Sequence, residues 1–128
     1  MSYTKEELET MLNSEEISSE VLQTLLEARE SKEVDFILMD IREVYEYNDS
    51  SIVGTDLLIP TSVIGNHVGK FEELKDKRVI LYCRTANRTW QVMHALKNMG
   101  YTNISHLSNG IVSYFGQKVS NAPIPNQL

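Results

Sequence analysis

The apolar residues of this chain follow two different patterns. In residues 18–31 they recur every three or four positions, and Val21, Leu22, Leu25 and Leu26 form one stripe that predicts an amphipathic helix. Other segments carry short, continuous apolar runs of strand length. These runs are DFILMDI, TDLLIP, RVILYC and the weaker NISHL. Continuous apolarity is typical of strands covered on both faces, as in a parallel sheet.

Segments that suit helices separate these runs. They are TKEELETML near the start, then EVYEYN, VGKFEELKD and NRTWQVMHALKNM. The alternation of short strands with helices predicts a single α/β domain. The final residues, QKVSNAPIPNQL, contain two prolines and no period, which predicts an extended, partly mobile tail.

Length, composition and charge narrow the classes of function. The chain has 128 residues, which suits one domain, and 41% of them are hydrophobic, enough for a core. A net charge of −6 argues against nucleic-acid binding, because phosphate recognition needs a basic stripe. The apolar runs are too short to span a membrane, and the N-terminus has no signal-peptide pattern, so a cytoplasmic protein is expected. A single cysteine predicts neither an internal disulfide nor a cysteine zinc site.

That cysteine, Cys83, is the candidate for chemistry. It ends the predicted strand RVILYC and precedes a polar loop, and the next helix is predicted to begin near Asn87 or Arg88. Ligands of open α/β sheets bind beyond the carboxyl ends of the strands. The loop amides and the positive end of the helix, with Arg84 and Arg88, favour a thiolate. A lone cysteine is often only a small buried hydrophobe, but its position at the strand end favours a nucleophile.

Three segments, in this order, resemble the rhodanese-like sulfurtransferases. YCRTANRT resembles that family's active-site loop, commonly Cys-Arg-x-Gly-x-Arg-Ser. FILMDIREVYEYNDSSIVGTDLLIP resembles its Asp-x-Arg signature, and MGYTNISHLSNGIVSYF its closing segment. The resemblance implies a three-layer α/β fold, with a central parallel sheet and helices on both faces. It places the core at about residues 17–115 of a single domain spanning 1–128, followed by the tail 116–128.

The resemblance also implies an activity, thiosulfate sulfurtransferase-like transfer of sulfane sulfur. The thiolate of Cys83 would take sulfur from a small anionic donor, such as thiosulfate or a polysulfide, and form a persulfide. A thiol, cyanide or a carrier protein would accept that sulfur, with no metal or organic cofactor. The residues expected to bind the donor and the persulfide are Arg84, Thr85, Ala86, Asn87 and Arg88.

Two other functions stay open at this point. Related phosphatases place five residues between cysteine and arginine, whereas four separate Cys83 from Arg88 here, so phosphatase or arsenate reductase activity ranks below sulfur transfer. A binding or regulatory module with little turnover is the main alternative, because Ala86 replaces the usual loop glycine. That alanine restricts the backbone where glycine would permit φ > 0.

Several polar residues have structural interpretations. Asp40 and Arg42 match the family's Asp-x-Arg and are expected to form a pair that fixes the loop near the pocket, rather than to act in catalysis. The three histidines, His67, His94 and His106, form no cluster and are expected to be surface or structural residues.

Overall fold

The structure, a computed structural model, describes residues 3–125, apart from the side chains of His67, Val68 and Lys70. The expectation for the His67 side chain therefore lies outside the described residues. The helices are α1 (Lys5–Leu12), α2 (Ser19–Glu30), α3 (Val44–Asp49), α4 (Val68–Glu73) and α5 (Asn87–Asn98). The strands are β1 (Glu16–Ile17), β2 (Ile37–Asp40), β3 (Ser51–Ile52), β4 (Leu57–Leu58), β5 (Val79–Tyr82), β6 (Ile104–Leu107) and β7 (Lys118–Val119). Short 3-10 helices occupy Ile64–His67 and Ile111–Ser113.

Five strands form a central parallel sheet in the order β1-β6-β5-β2-β4. The four apolar runs supply β2, β4, β5 and β6, so the predicted α/β architecture is confirmed. Strand β5 lies in the middle of the sheet, and every one of its residues is buried. This is why its sequence shows no polar alternation.

Side chains of successive strand residues point to opposite faces of the sheet and form two cores. In β5, Ile80 and Tyr82 pack with the apolar residues of α1 and α2. Leu81 and the following Cys83 pack on the other face with Met93 of α5 and with residues of α4. The cysteine is therefore on the face that α5 covers, which brings the start of that helix close to the thiol.

Helices α1 and α2 begin at side-chain caps. The hydroxyl of Thr4 accepts the Glu7 N–H while the Glu7 carboxylate accepts the Thr4 N–H, and the hydroxyl of Ser18 accepts the Val21 N–H. Among the described residues, no helix is long and apolar enough to cross a membrane.

Part of the segment predicted as an extended C-terminal tail forms a strand. Strand β7 pairs antiparallel with β3 and forms a separate two-stranded sheet. Beyond it, Ser120 Oγ donates to the Asp49 carbonyl, and the Asn121 N–H donates to the Asn48 carbonyl. The segment thus lies along the end of α3. The sequence predicted no strand here, because a two-residue strand carries no recognisable apolar pattern.

The turn after β6 holds the loop that follows Cys83. The Ile111 N–H donates to the Cys83 carbonyl at 2.9 Å, and the Val112 N–H donates to the Arg84 carbonyl at 3.3 Å. Gly110, just before these residues, has φ +67°, and a Cβ there would overlap the Arg84 carbonyl. Only glycine permits both this backbone conformation and this close approach.

Gly110→Ala is expected to destabilise the protein by about 3 kcal/mol, through left-handed strain and the clash with Arg84. Chemical denaturation measures the free energy of unfolding. Gly65→Ala is the matched control, because a Cβ at Gly65 meets nothing within 4 Å. If the two substitutions had equal, small effects, the turn and the cysteine loop would not be in the close contact described here.

Candidate active site

Cys83 lies at the carboxyl end of β5 and is 1% exposed. Its Sγ accepts the backbone N–H of Ala86 at 3.2 Å, and Oγ1 of Thr89 lies 3.8 Å from the same sulfur. Both partners belong to the start of α5, where backbone N–H groups are free of intrahelical bonds and carry partial positive charge. The sulfur therefore occupies a position that stabilises negative charge.

The loop between β5 and α5 reverses direction through Ala86. This residue has φ 86° and ψ −10°, in the left-handed region, and it is the N-cap of α5. Its conformation brings its N–H back to the sulfur, while its carbonyl accepts the Trp90 N–H at 3.0 Å. The alanine thus takes the conformation for which glycine is better suited, at a strain of about 1–2 kcal/mol.

The two loop arginines have different surroundings. Arg88 makes a bidentate ion pair with Glu46 of α3, at 2.9 and 3.0 Å, and this pair ties the start of α5 to α3. The Arg88 guanidinium holds the pKa of the Glu46 carboxyl below its usual range. Arg84 is exposed and has no ion pair among the described residues. The sequence offered no reason to distinguish the two arginines, but among the described residues Arg88 has a carboxylate partner and Arg84 has none.

The remaining loop residues, Thr85 and Asn87, are exposed. Among the described residues, neither side chain makes a hydrogen bond to the sulfur of Cys83, whose partners are Ala86 and Thr89.

Asp40 and Arg42 form a buried pair at the end of β2. The Arg42 guanidinium donates to both carboxylate oxygens of Asp40, with Nη2 to Oδ2 at 2.8 Å, and the Arg42 N–H donates to Oδ1. Nη2 also donates to the Ser50 carbonyl at 2.6 Å. The pair thus connects the end of β2 to the residue after α3, which is the loop-fixing arrangement expected from the sequence.

A groove of about 430 Å³ opens beside the cysteine loop. Both signs of charge line it: Arg84, Lys118 and the Asp40-paired Arg42 on one side of the balance, Glu46 and Asp49 on the other. The exposed Tyr45 and Val112 complete the lining. Among the described residues, no group of three or more His, Cys, Asp or Glu side chains could hold a metal ion.

One buried residue near the site was not recognised from sequence. His106 of β6 is 2% exposed, and its Nδ1 lies 2.8 Å from Oγ1 of Thr89. His106 is thus one hydrogen bond removed from a neighbour of the Cys83 sulfur. Its place near the site follows from the parallel pairing of β5 with β6, because the register of these strands aligns Leu81 with His106.

Comparison with known proteins agrees with this geometry. The family model of the rhodanese-like domain matches residues 18–117. The chain belongs to the rhodanese-like domain family. The resemblance seen in the sequence is therefore confirmed. The matched range begins before β2 and ends after the turn that follows β6.

Relatives of this rhodanese-like domain include parts of larger proteins. The probable adenylyltransferase/sulfurtransferase MoeZ of Mycobacterium tuberculosis (strain CDC 1551 / Oshkosh) is 34% identical over 80 residues, which are 62% of this chain and 20% of MoeZ. The tRNA uridine(34) hydroxylase of Enterobacter sp. (strain 638) is 29% identical over 84 residues, 62% of this chain and 24% of that protein. The chain thus spans only a fifth to a quarter of these relatives.

A solved structure has the same fold. The thiosulfate sulfurtransferase of Pseudomonas aeruginosa superimposes with a TM-score of 0.72 at 24% identity, covering 94% of this chain and 23% of that one. The three-layer arrangement with a central parallel sheet is therefore the rhodanese fold. The family includes sulfurtransferases, and the predicted fold class is confirmed.

Ala86→Gly is expected to stabilise the domain by about 0.5–1 kcal/mol, because relief of left-handed strain exceeds the added freedom of the unfolded chain. Thermal denaturation would register this as a higher Tm. The matched control is Ala95→Gly in the middle of α5, which is expected to lower stability by up to about 1 kcal/mol. A decrease at both positions would contradict the left-handed conformation of Ala86.

Glu46→Gln is expected to reduce the free energy of unfolding at pH 7 by about 1 kcal/mol, since this partly exposed pair is screened by solvent. The pKa of Glu46 is lowered in the folded state, so its contribution is present above the ordinary value of 4.5 and is lost as pH falls through the folded value. The difference between wild type and variant should shrink in acid when measured by denaturant titration. Glu30→Gln, at an exposed carboxylate without an ion pair among the described residues, is the matched control and is expected to change the free energy of unfolding at pH 7 by less than about 0.5 kcal/mol.

Proposed function

We propose that this rhodanese-like domain is a sulfurtransferase that carries sulfane sulfur on Cys83. The observation that carries the proposal is the position of the thiol. Its sulfur lies at the end of β5, 3.2 Å from the Ala86 N–H and against the start of α5. This environment favours a thiolate, which is the form of cysteine that acts as a nucleophile.

The reaction has two steps. The Cys83 thiolate attacks the outer sulfur of thiosulfate, a bond forms between the two sulfurs, and the sulfur–sulfur bond of the donor breaks with sulfite as the leaving group. The resulting persulfide carries its negative charge on the terminal sulfur. An acceptor thiolate or cyanide then attacks that sulfur, and the Cys83 thiolate is released. Neither step needs an external oxidant or reductant, and a polysulfide donor would follow the same course.

The charges around the loop support an anionic donor. Arg84 is exposed beside the loop and uncompensated by any ion pair among the described residues, while the start of α5 adds partial positive charge. Arg88 is already paired with Glu46, so its part is to hold the loop while Arg84 attracts the donor. The adjoining groove, which Lys118 also lines, offers space for a larger donor or for a thiol acceptor.

One observation favours a second candidate, a binding module with little turnover. Cys83 is 1% exposed, so only a narrow reactant could reach its sulfur without movement of the loop. Thiosulfate and hydropolysulfide each carry a terminal sulfur at one end of the ion, so only that sulfur has to reach Cys83 while the rest of the donor stays outside the loop. The short loop, with four residues between Cys83 and Arg88, leaves less room for a phosphate or arsenate group.

Intact-protein mass spectrometry after incubation with thiosulfate tests the proposal. Wild type is expected to gain the mass of one sulfur atom and to lose it when cyanide is added. Cys83→Ser is the matched control and is expected to gain nothing. Because the donor is not identified, a polysulfide is tested in parallel. No gain with either donor, in protein whose fold is intact by circular dichroism, would leave the binding module as the better candidate.

A further inference from the structure

We propose that His106 is a positioning residue that directs the Thr89 hydroxyl proton towards the sulfur of Cys83 and thereby promotes the reactive thiolate. The inference deepens the proposed function, on which its biological meaning rests. Its physical content, a change in the reactivity of the Cys83 thiol, can be measured without any sulfur transfer.

The fold brings His106 to this position through the register of the sheet. Strands β5 and β6 are adjacent and parallel, with Leu81 aligned to His106, so the histidine lies two residues before the level of Cys83. Ile104, two residues earlier on the same face of β6, packs in the core that contains Cys83 and α5. The His106 ring therefore lies under the first turn of α5, where Thr89 is fully buried.

Three potential hydrogen-bond partners surround the Thr89 hydroxyl. Its Oγ1 lies 2.8 Å from Nδ1 of His106, 3.1 Å from the Ala86 carbonyl oxygen and 3.8 Å from the sulfur of Cys83. The hydroxyl has one proton to donate. If Nδ1 accepted that proton, nothing would remain for the sulfur. If Nδ1 donates instead, the proton of Thr89 is available to the carbonyl or to a thiolate.

The other ring nitrogen decides between these possibilities. Nε2 of His106 is buried and has no hydrogen-bond partner among the described residues. A proton on Nε2 would be a buried donor without an acceptor, which is rarer and more costly than an unpaired acceptor. The favoured neutral tautomer therefore carries its proton on Nδ1, and the imidazole donates to Thr89.

The Ala86 carbonyl does not retain the Thr89 proton strongly. It already accepts the Trp90 N–H at 3.0 Å, so it keeps a partner when the hydroxyl turns away. A thiolate on Cys83 can therefore receive two donors, the Ala86 N–H and the Thr89 hydroxyl. A hydrogen bond to an ionised group is stronger than one to a neutral carbonyl, which favours this arrangement once the thiol loses its proton.

The charged groups around His106 are compatible with a neutral ring. Burial lowers the pKa of His106, while Glu16, its partner in β1, and the preceding Glu15 act in the opposite direction. Smaller contributions from His94 and Lys97 of α5 lower it further. Glu15 is itself paired with Lys97, which limits its influence. At the end of the neighbouring strand β5, Cys83 is the group to which the histidine connects through Thr89.

The rate of alkylation of Cys83 by iodoacetamide, measured against pH, tests the inference. Because Cys83 is the single cysteine, the reaction reports on one site. His106→Leu removes the donor and is expected to raise the midpoint of the pH profile by about half to one pH unit. His106→Asn can place an amide N–H near the position of Nδ1 and should restore the wild-type midpoint. His106→Gln reaches instead towards the Nε2 position and substitutes for the leucine variant if that one does not fold.

A double variant tests the route through Thr89. Thr89→Val is expected to raise the midpoint by about one pH unit, because it removes a hydrogen bond to the thiolate. Adding His106→Leu to Thr89→Val should then change nothing further, because the histidine acts through the hydroxyl. His94→Gln is the matched control. It removes an imidazole that packs against the Trp90 ring at a tilted angle, with no contact to Thr89 among the hydrogen bonds of the described residues, and it should leave the midpoint unchanged.

The sign of the shift is decisive. A lower midpoint in His106→Leu would mean that the imidazole accepts the Thr89 proton, and an unchanged midpoint in a folded variant would mean that His106 only packs; either result overturns the inference. The proposed function fails separately, through absence of the persulfide on wild type in mass spectrometry. An alkylation shift without a persulfide would uphold the role of His106 and reject the sulfurtransferase.

Discussion

The structure depends on a short connection between a buried strand and the helix that covers it. Strand β5 ends at Tyr82 and α5 begins at Asn87, so the chain must reverse within a few residues while the next side chain, Cys83, points towards the same helix. A reversal this tight needs a residue in the left-handed region, and Ala86 supplies it. The same conformation turns the Ala86 N–H towards the sulfur. The geometry of the site is thus a consequence of the chain reversal.

Neighbouring elements hold this reversal from several directions. The closing turn after β6 bonds to the backbone of Cys83 and Arg84, the Glu46–Arg88 pair joins α5 to α3, and His106 lies beneath the first turn of the helix. Each of these contacts fixes a different part of the loop. A strained loop persists only when its surroundings determine its conformation in this way, and the site therefore depends on residues distant in sequence.

Local patterns account for the parts of the fold and site that the sequence predicted correctly. The continuous apolar runs predicted the positions of β2, β4, β5 and β6. The position of Cys83 at the end of a strand predicted that it lies beside the start of a helix. The two-residue strands β1, β3 and β7 went unrecognised because pairing, rather than apolarity, defines them. The pairing of Arg88 with Glu46 and the position of His106 also went unrecognised. Both contacts join residues that are distant in the sequence and that only the folded chain brings together. Glu46 and Arg88, for example, are 42 residues apart.

The two outer strands of the central sheet, β1 and β4, have a consequence for behaviour at high concentration. Each is only two residues long, so each presents very few backbone groups at which a strand of another molecule could pair. Long, flat edge strands invite edge-to-edge aggregation, and very short ones discourage it. The parallel sheet that carries the cysteine is thereby limited to five strands and is poorly suited to growth into intermolecular sheets.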